Sequence, residues 1–213
     1  MNLKTRGQEM RNFFNNKIDS YDQVHEQYMD TKKALIDCLD NDIKKVLDLG
    51  AGTGLELIHL FKKYPNVNVT VVDITENMLN ELMKRDFASK VTCICGDFFE
   101  VDFGSEYDAV ISTSALHHFS EEDKMKLYTK ILDCLKDNGQ FVNCDKVASS
   151  QEEQDICFKE YQEDPNKYAH MDTPLTKENE SKILNKVGFK NISVSQLETI
   201  KDDYALIKAY KKN

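Results

Sequence analysis

The chain has 213 residues, of which 40% are hydrophobic and 31% charged, and its formal net charge is −9. This length suits one domain with a sizeable core, and the composition excludes collagen-like, low-complexity and wholly disordered chains. An acidic chain lacks the basic surface that general nucleic-acid binding requires, so we do not expect a nucleic-acid partner. We see neither an apolar run of about 20 residues nor an apolar signal core at the start, and therefore expect a cytoplasmic protein without a membrane partner.

Residues 7–40 show helical spacing of apolar side chains, which predicts an N-terminal helical segment over 1–42. From residue 43 to 143, strand-like and helix-like segments alternate. Nearly continuous apolar strands are typical of a parallel sheet that is covered on both faces, so the alternation predicts a doubly wound α/β sheet. The predicted strands are 43–49, 67–72, 91–95, 109–112 and 140–143, the last one following a turn at 137–139.

The end of the chain departs from this alternation. Residues 146–176 contain an acidic run and two of the three prolines, which predicts a lid-like insertion over the carboxyl edge of the sheet, although a solvated acidic helix fits as well. A helix over 177–186 and two strands over 191–197 and 204–210 follow, and the two strands are close enough to pair as a hairpin. The six cysteines include no CxxC pair, so we expect reduced thiols and no metal site.

A glycine-rich turn is the sharpest feature of the sequence. Gly50, Gly52 and Gly54 follow a buried strand directly and lead into a helix, an arrangement that lets a backbone approach a ligand. Asp73 ends the next strand, where a carboxylate can accept hydrogen bonds from both ribose hydroxyls. The dinucleotide pattern G-x-G-x-x-G fails, and Asp48 beside the turn favours a cationic group over a pyrophosphate. These features indicate S-adenosylmethionine (SAM) rather than NAD.

With these motifs the chain resembles the class I SAM-dependent methyltransferases, in particular their small-molecule branch. The segments that carry the resemblance are 14–22, 46–54, 71–74, 95–99, 107–119 and 135–141. The resemblance implies an α/β, Rossmann-like, doubly wound seven-stranded sheet, mostly parallel with an antiparallel C-terminal strand and with helices on both faces. It also implies that residues 1–213 form a single methyltransferase domain whose N-terminal segment covers the cofactor.

The resemblance further implies a set of cofactor-binding residues. The glycine turn would hold the methionine portion of SAM, Asp73 the ribose, and Asp97 the adenine amine. The complete set is Tyr21, Asp48, Gly50, Ala51, Gly52, Thr53, Gly54, Asp73, Ile74, Met78, Gly96, Asp97, Phe98 and Ser112.

The sequence does not identify a catalytic residue. A methyl group on a sulfonium is already activated, so in-line SN2 displacement needs mainly alignment and desolvation. His117 and His118 are candidates for a base, although packing and backbone hydrogen bonding would explain them equally. Tyr161, Tyr168 and His170 of the insertion are candidates for binding the acceptor.

We expect a methyltransferase that transfers a methyl group from SAM to a small-molecule acceptor and releases S-adenosylhomocysteine (SAH). Two alternatives remain. The first is an enzyme that modifies SAM for tRNA wobble modification, as a carboxy-SAM synthase does. The second is a non-enzymatic regulatory module that binds SAM. The sequence leaves the oligomeric state open.

Overall fold

Seven strands form one mixed sheet in the computed structural model, which describes residues 3–163, 172–197 and 203–212. The strand order is β3-β2-β1-β4-β5-β7-β6, and β7 runs antiparallel to both of its neighbours. The predicted sheet, with its antiparallel last strand, is confirmed. The strands are β1 (Lys45–Leu49), β2 (Asn68–Asp73), β3 (Val91–Cys95), β4 (Tyr107–Thr113), β5 (Leu135–Lys146), β6 (Lys190–Gln196) and β7 (Tyr204–Tyr210).

Eight α-helices occur in the described parts of the chain. None of them has the length and apolar character needed to cross a membrane. Four short 3₁₀ turns also occur there, at Ile18–Ser20, Glu26–Tyr28, Ala88–Lys90 and Leu116–His118. The helices are α1 (Leu3–Asn15), α2 (Tyr21–His25), α3 (Met29–Cys38), α4 (Leu55–Lys63), α5 (Glu76–Leu82), α6 (Glu121–Cys134), α7 (Gln151–Glu163) and α8 (Lys177–Val187).

Alternate residues of the central strands belong to two separate apolar clusters. Leu47 of β1 packs in a cluster with Tyr128 of α6 and with side chains of α8. Its neighbour Val46 packs in the other cluster, with Leu35 of α3 and Leu57 of α4. Successive side chains of a strand point to opposite faces of a sheet. Helices therefore cover both faces, as the sequence predicted.

The candidate site lies where the strand order reverses. β1 pairs in parallel with β2 on one side and with β4 on the other. The connections from the carboxyl ends of these strands therefore diverge and leave a crevice, which is where open α/β sheets bind ligands. The glycine turn that follows β1 is at this crevice.

The turn predicted before the fifth strand lies inside that strand. β5 begins at Leu135, and its pairing with β4 shifts register between Tyr107 and Ala109. Asn138 has a φ of 61°, and its backbone N–H donates to the carbonyl of Lys211. The predicted strand at 140–143 was too short, because residues 135–139 still pair with β4 and with the end of the chain despite the turn.

The predicted insertion contains α7 and a segment that returns to the sheet edge. Ala148 forms a parallel bridge with Thr176, and the backbone N–H of Thr173 donates to the carbonyl of His117 at 2.8 Å. The returning segment therefore contacts the turn after β4. A lid role, and the division of the chain into one domain with two covering segments, stay predictions.

A buried ion pair joins α6 to α8. Lys124 pairs with Glu180, both side chains are 1% exposed, and the Tyr128 hydroxyl donates to the other carboxylate oxygen at 2.7 Å. Lys126, two residues further along α6, pairs with Glu122 on the surface, where both side chains are more than half exposed.

We predict that Lys124→Met lowers the free energy of unfolding by about 3–5 kcal/mol, because it leaves the Glu180 carboxylate buried without its counter-charge. The matched control, Lys126→Met, breaks an exposed, solvent-screened pair and should change the free energy of unfolding far less. Urea unfolding followed by circular dichroism measures both, and equal midpoints for the two variants would contradict the prediction.

Candidate active site

The glycine turn adopts a backbone conformation that other residues rarely reach. Gly50, Gly52 and Gly54 all have positive φ angles, at 78°, 53° and 74°. A Cβ atom on Gly52 would lie 3.1 Å from the hydroxyl oxygen of Tyr21, so a side chain there would press on the tyrosine. The turn therefore brings its bare backbone up to the N-terminal segment.

Asp73 ties the glycine turn to the end of β2. Its carboxylate accepts from the backbone N–H of Gly52 at 2.9 Å and from that of Thr75 at 2.8 Å. Burial raises the pKa of Asp73, while these two N–H donors act in the opposite direction. Each carboxylate oxygen has a second lone pair, so the group keeps capacity to accept from ligand hydroxyls.

A first cavity opens beside this carboxylate. It brings together predicted cofactor residues from four separate stretches of the sequence. These are Tyr21, Gly50, Gly52, Asp73, Ile74, Met78, Gly96, Asp97 and Phe98.

The remaining predicted cofactor residues are not among those that line this cavity. The Ser112 hydroxyl is buried and donates to the carbonyl of Leu49 at 2.7 Å. The Thr53 hydroxyl donates to Asp22 at 2.5 Å, which ties the turn to the N-terminal segment. Ala51 and Gly54 shape the turn through a 2.8 Å hydrogen bond between their backbones. Their predicted contacts with a cofactor, and the contact of Ser112 with its methionine portion, stay predictions.

Asp48 lies beneath the turn rather than in the cavity. It is fully buried, and burial together with neighbouring Glu56 raises its pKa well above the ordinary value. Glu56 pairs with Lys32 at 3.0 Å, and that lysine holds the pKa of Glu56 below its ordinary value against the effect of burial. The predicted contact of Asp48 with an ammonium group of the ligand stays a prediction.

Sequence reasoning missed several residues of the first cavity. Gly7 of α1 packs so closely against the cavity that a Cβ there would lie 2.9 Å from a carboxylate oxygen of Asp97. A glycine inside a helix costs stability, so Gly7 was itself a signal of close packing. The other missed lining residues are Met10, Phe14, Phe99, Ser114, Ala115 and Phe119.

A second cavity adjoins the first and shares Phe14, Tyr21, Ser114 and His118 with it. Its wall is rich in aromatic rings, and Tyr21 stacks on His25 with ring centroids 3.9 Å apart. The remaining lining residues are Phe13, Lys17, Ser20, Val24, Tyr28, His117 and Tyr204.

The two candidate histidines lie in the 3₁₀ turn after β4, at this junction. His117 Nδ1 is 2.6 Å from Asp145 Oδ1, and the other oxygen of Asp145 accepts from the backbone N–H groups of Leu116 and His117. Asp172 lies 3.4 Å from His117 Nε2 and 3.1 Å from His118 Nδ1. Although burial alone would lower the pKa of His117, the two carboxylates raise it to about 9.

Residues 46–139 match the model of a family described as "Methyltransferase domain". The chain belongs to the class I SAM-dependent methyltransferases. The sheet order and the position of the glycine turn at the crevice agree with that membership, which the motifs of the sequence had indicated.

Among curated relatives, a phosphoethanolamine N-methyltransferase of Plasmodium falciparum is 33% identical over 164 residues, covering 76% of this chain and 59% of its own length. A carboxy-S-adenosyl-L-methionine synthase of Nautilia profundicola is 32% identical, covering 57% and 54%. The structure of a Haemonchus contortus phosphoethanolamine N-methyltransferase 2, in complex with phosphomonomethylethanolamine and SAH, superposes with a TM-score of 0.73. It is 18% identical and covers 95% of this chain and 60% of its own. The methyltransferase chain thus spans little more than half the length of these relatives.

Of the three predicted acceptor residues of the insertion, the structure describes only Tyr161. Tyr161 is buried on α7 and is not among the lining residues. Tyr168 and His170 lie outside the described residues. Their role in acceptor binding stays a prediction.

We predict that the free energy of unfolding falls as pH rises from about 6.5 to about 9, measured without added metal ions. The pKa of His117 is about 9 in the folded chain and 6.5 when unperturbed, so the ionised His117–Asp145 pair stabilises fully below pH 6.5 and is lost as pH passes 9. Urea unfolding at a series of pH values measures this. His117→Asn should flatten the dependence, whereas His59→Asn on α4 should keep it; equal slopes in all three proteins would contradict the prediction.

Proposed function

We propose that the chain binds SAM in the first cavity and transfers its methyl group to a small molecule held in the second. The observation that carries the proposal is the junction between the cavities, which share Phe14, Tyr21, Ser114 and His118. A donor and an acceptor in adjoining cavities meet at such a junction, and alignment is most of what methyl transfer from a sulfonium requires.

The residues of the first cavity fit SAM. Asp73 retains lone pairs for the two ribose hydroxyls beside the backbone of the glycine turn. Apolar side chains of Ile74, Met78 and Phe98 line the same cavity as Asp97, which suits an adenine ring and its exocyclic amine. SAM supplies an electrophilic methyl group on sulfur and leaves as SAH.

The second cavity fits an acceptor of modest size. Its aromatic wall excludes water from a nucleophile that would otherwise stay solvated, and aromatic faces attract cationic groups such as amines. Among the histidines that the structure describes, His118 lines both cavities and is buried. It is the better placed of the two candidates to take a proton from an acceptor nucleophile.

The decisive experiment is turnover with SAM and a panel of small amines, thiols and hydroxyl compounds, followed by mass spectrometry of the nucleoside product. Native mass spectrometry and a thermal-shift series with SAM, SAH and NAD come first. Stabilisation by SAM and SAH but not NAD, followed by acceptor-dependent release of SAH, supports the proposal. Stabilisation by NAD, or by none of the three, contradicts it.

A SAM-modifying enzyme is the second candidate. It is favoured by similarity to the Nautilia profundicola carboxy-SAM synthase and by Lys17, a cation on the second cavity that would suit an added carboxylate. A nucleoside product heavier than SAM would establish this reading. Tight SAM binding with neither product would instead indicate a regulatory module.

We predict that Asp73→Ala weakens SAM binding by about 1–3 kcal/mol, because charge-assisted hydrogen bonds to the ribose are lost. Asp86→Ala is the matched control, since Asp86 is an exposed acid outside both cavities. Isothermal titration calorimetry measures both affinities, and circular dichroism checks that the variants fold. Unchanged affinity of a folded Asp73→Ala protein would refute the assignment of Asp73 to the ribose.

A further inference from the structure

Three metal-ligating side chains converge beside the second cavity, which two of them line. One ring nitrogen each of His117 and His118 and one carboxylate oxygen of Asp172 all lie within 4.8 Å of one another. We propose that these residues bind a divalent transition-metal ion of the zinc class, at a position where an acceptor in the second cavity can coordinate it.

The two spacings from Asp172 fit coordination, and the ring nitrogens of the two histidines lie within 4.8 Å of each other. Asp172 Oδ1 is 3.4 Å from His117 Nε2 and 3.1 Å from His118 Nδ1. Tetrahedral zinc holds nitrogen and oxygen ligands at about 2.0–2.1 Å, which places neighbouring ligand atoms about 3.3 Å apart. An ion would therefore fit beside Asp172 once the two histidine rings turn toward it.

His117 has the supporting contact that metal-binding histidines usually have. Asp145 Oδ1 is 2.6 Å from Nδ1 of His117, which fixes the ring and directs Nε2 toward the site. Asp145 is itself fixed, because it accepts from the backbone N–H groups of Leu116, His117 and Lys146. The His117 ring is therefore held in position before any ion binds.

The charges around the site also favour a cation. Asp145 and Asp172 both face His117, so two carboxylates surround one imidazole. Lys146 lies on the far side of Asp172, with Nζ 3.3 Å from Oδ2, and leaves Oδ1 directed at the histidines. The competing interpretation is an ion-pair network in which protonated His117 is the cation between the two acids.

The donor set selects the class of metal. Two imidazoles and one carboxylate suit zinc, iron, cobalt or nickel, whereas magnesium and calcium prefer sites made of oxygen alone. Three protein ligands leave at least one coordination position open, as in catalytic rather than structural zinc sites. Because His117 and His118 both line the second cavity, the open position is accessible from it.

The consequence for the reaction rests on the proposed function. A metal ion lowers the pKa of a coordinated hydroxyl or thiol, so an acceptor bound through oxygen or sulfur would lose its proton near neutral pH. With the ion bound, His118 is a metal ligand and not the base of the proposed function, and the site then points to hydroxyl or thiol acceptors more than to amines. Ion binding itself does not depend on methyl transfer.

The test is calorimetric titration of chelator-treated full-length protein with Zn²⁺ at pH 8, repeated with Co²⁺ and visible absorption. We predict about one ion per chain and a cobalt spectrum of tetrahedral or five-coordinate nitrogen–oxygen type. His118→Asn and Asp172→Asn should abolish this binding. His25→Asn is the matched control, because His25 lines the same cavity but lies outside the cluster. This variant should still bind the ion.

Asp145→Asn supplies a separate measurement. Loss of a carboxylate behind a metal-binding histidine typically weakens metal binding by about 10–100-fold, so we expect a loss in that range. Circular dichroism establishes that each variant folds. The proposal is overturned by absence of binding, by binding that His118→Asn and Asp172→Asn leave unchanged, or by a sulfur-to-cobalt charge-transfer band from the cysteines. Metal binding without methyl transfer would contradict the proposed function and leave the site standing.

Discussion

One buried lysine compensates the acidic groups gathered beneath the glycine turn. Lys32 is 4% exposed, pairs with Glu56 at the start of α4 and donates to the Thr113 hydroxyl at 3.2 Å. Since Asp48 and Asp73 lie close by, three carboxyl groups share this small, dry volume. The lysine comes from α3, so the N-terminal segment supplies the charge that lets the carboxyl edge of the sheet hold its acids. The glycine turn, the crevice and the first cavity are built on this arrangement.

The succession of strands and helices and the position of the glycine turn were predictable because short stretches of sequence specify both. Apolar runs mark the buried strands, and three glycines directly after one of them mark the turn. The role of Asp48 was not predictable, because that role depends on which face of β1 its side chain points to. Successive side chains of a strand alternate between faces, and the sequence alone does not say which face carries the cavity. The same argument applies to Ser112 in β4.

Contacts between distant residues account for what the sequence did not show. Gly7 packs beside Asp97, and Phe14 lines both cavities. Neither residue shares a sequence motif or a periodic pattern with the residues that it contacts. Asp145 supports His117 from a different strand, and Asp172 reaches both histidines from beyond α7. Local periodicity carries no information on such pairs. The lining of the first cavity was therefore largely predictable, whereas the second cavity became visible only in the fold.

The position of β7 between β5 and β6 imposes an order on the assembly of this chain during synthesis. β6 pairs with β7, and β7 in turn pairs with β5. A nascent chain that has emerged only as far as residue 204 contains β6 but not β7, the strand with which β6 pairs. The edge of β5 that will pair with β7 is also still unpaired. Unpaired edges of this kind recruit other strands. The period between the emergence of residue 146 and that of residue 210 is thus when the growing chain is most exposed to wrong pairing.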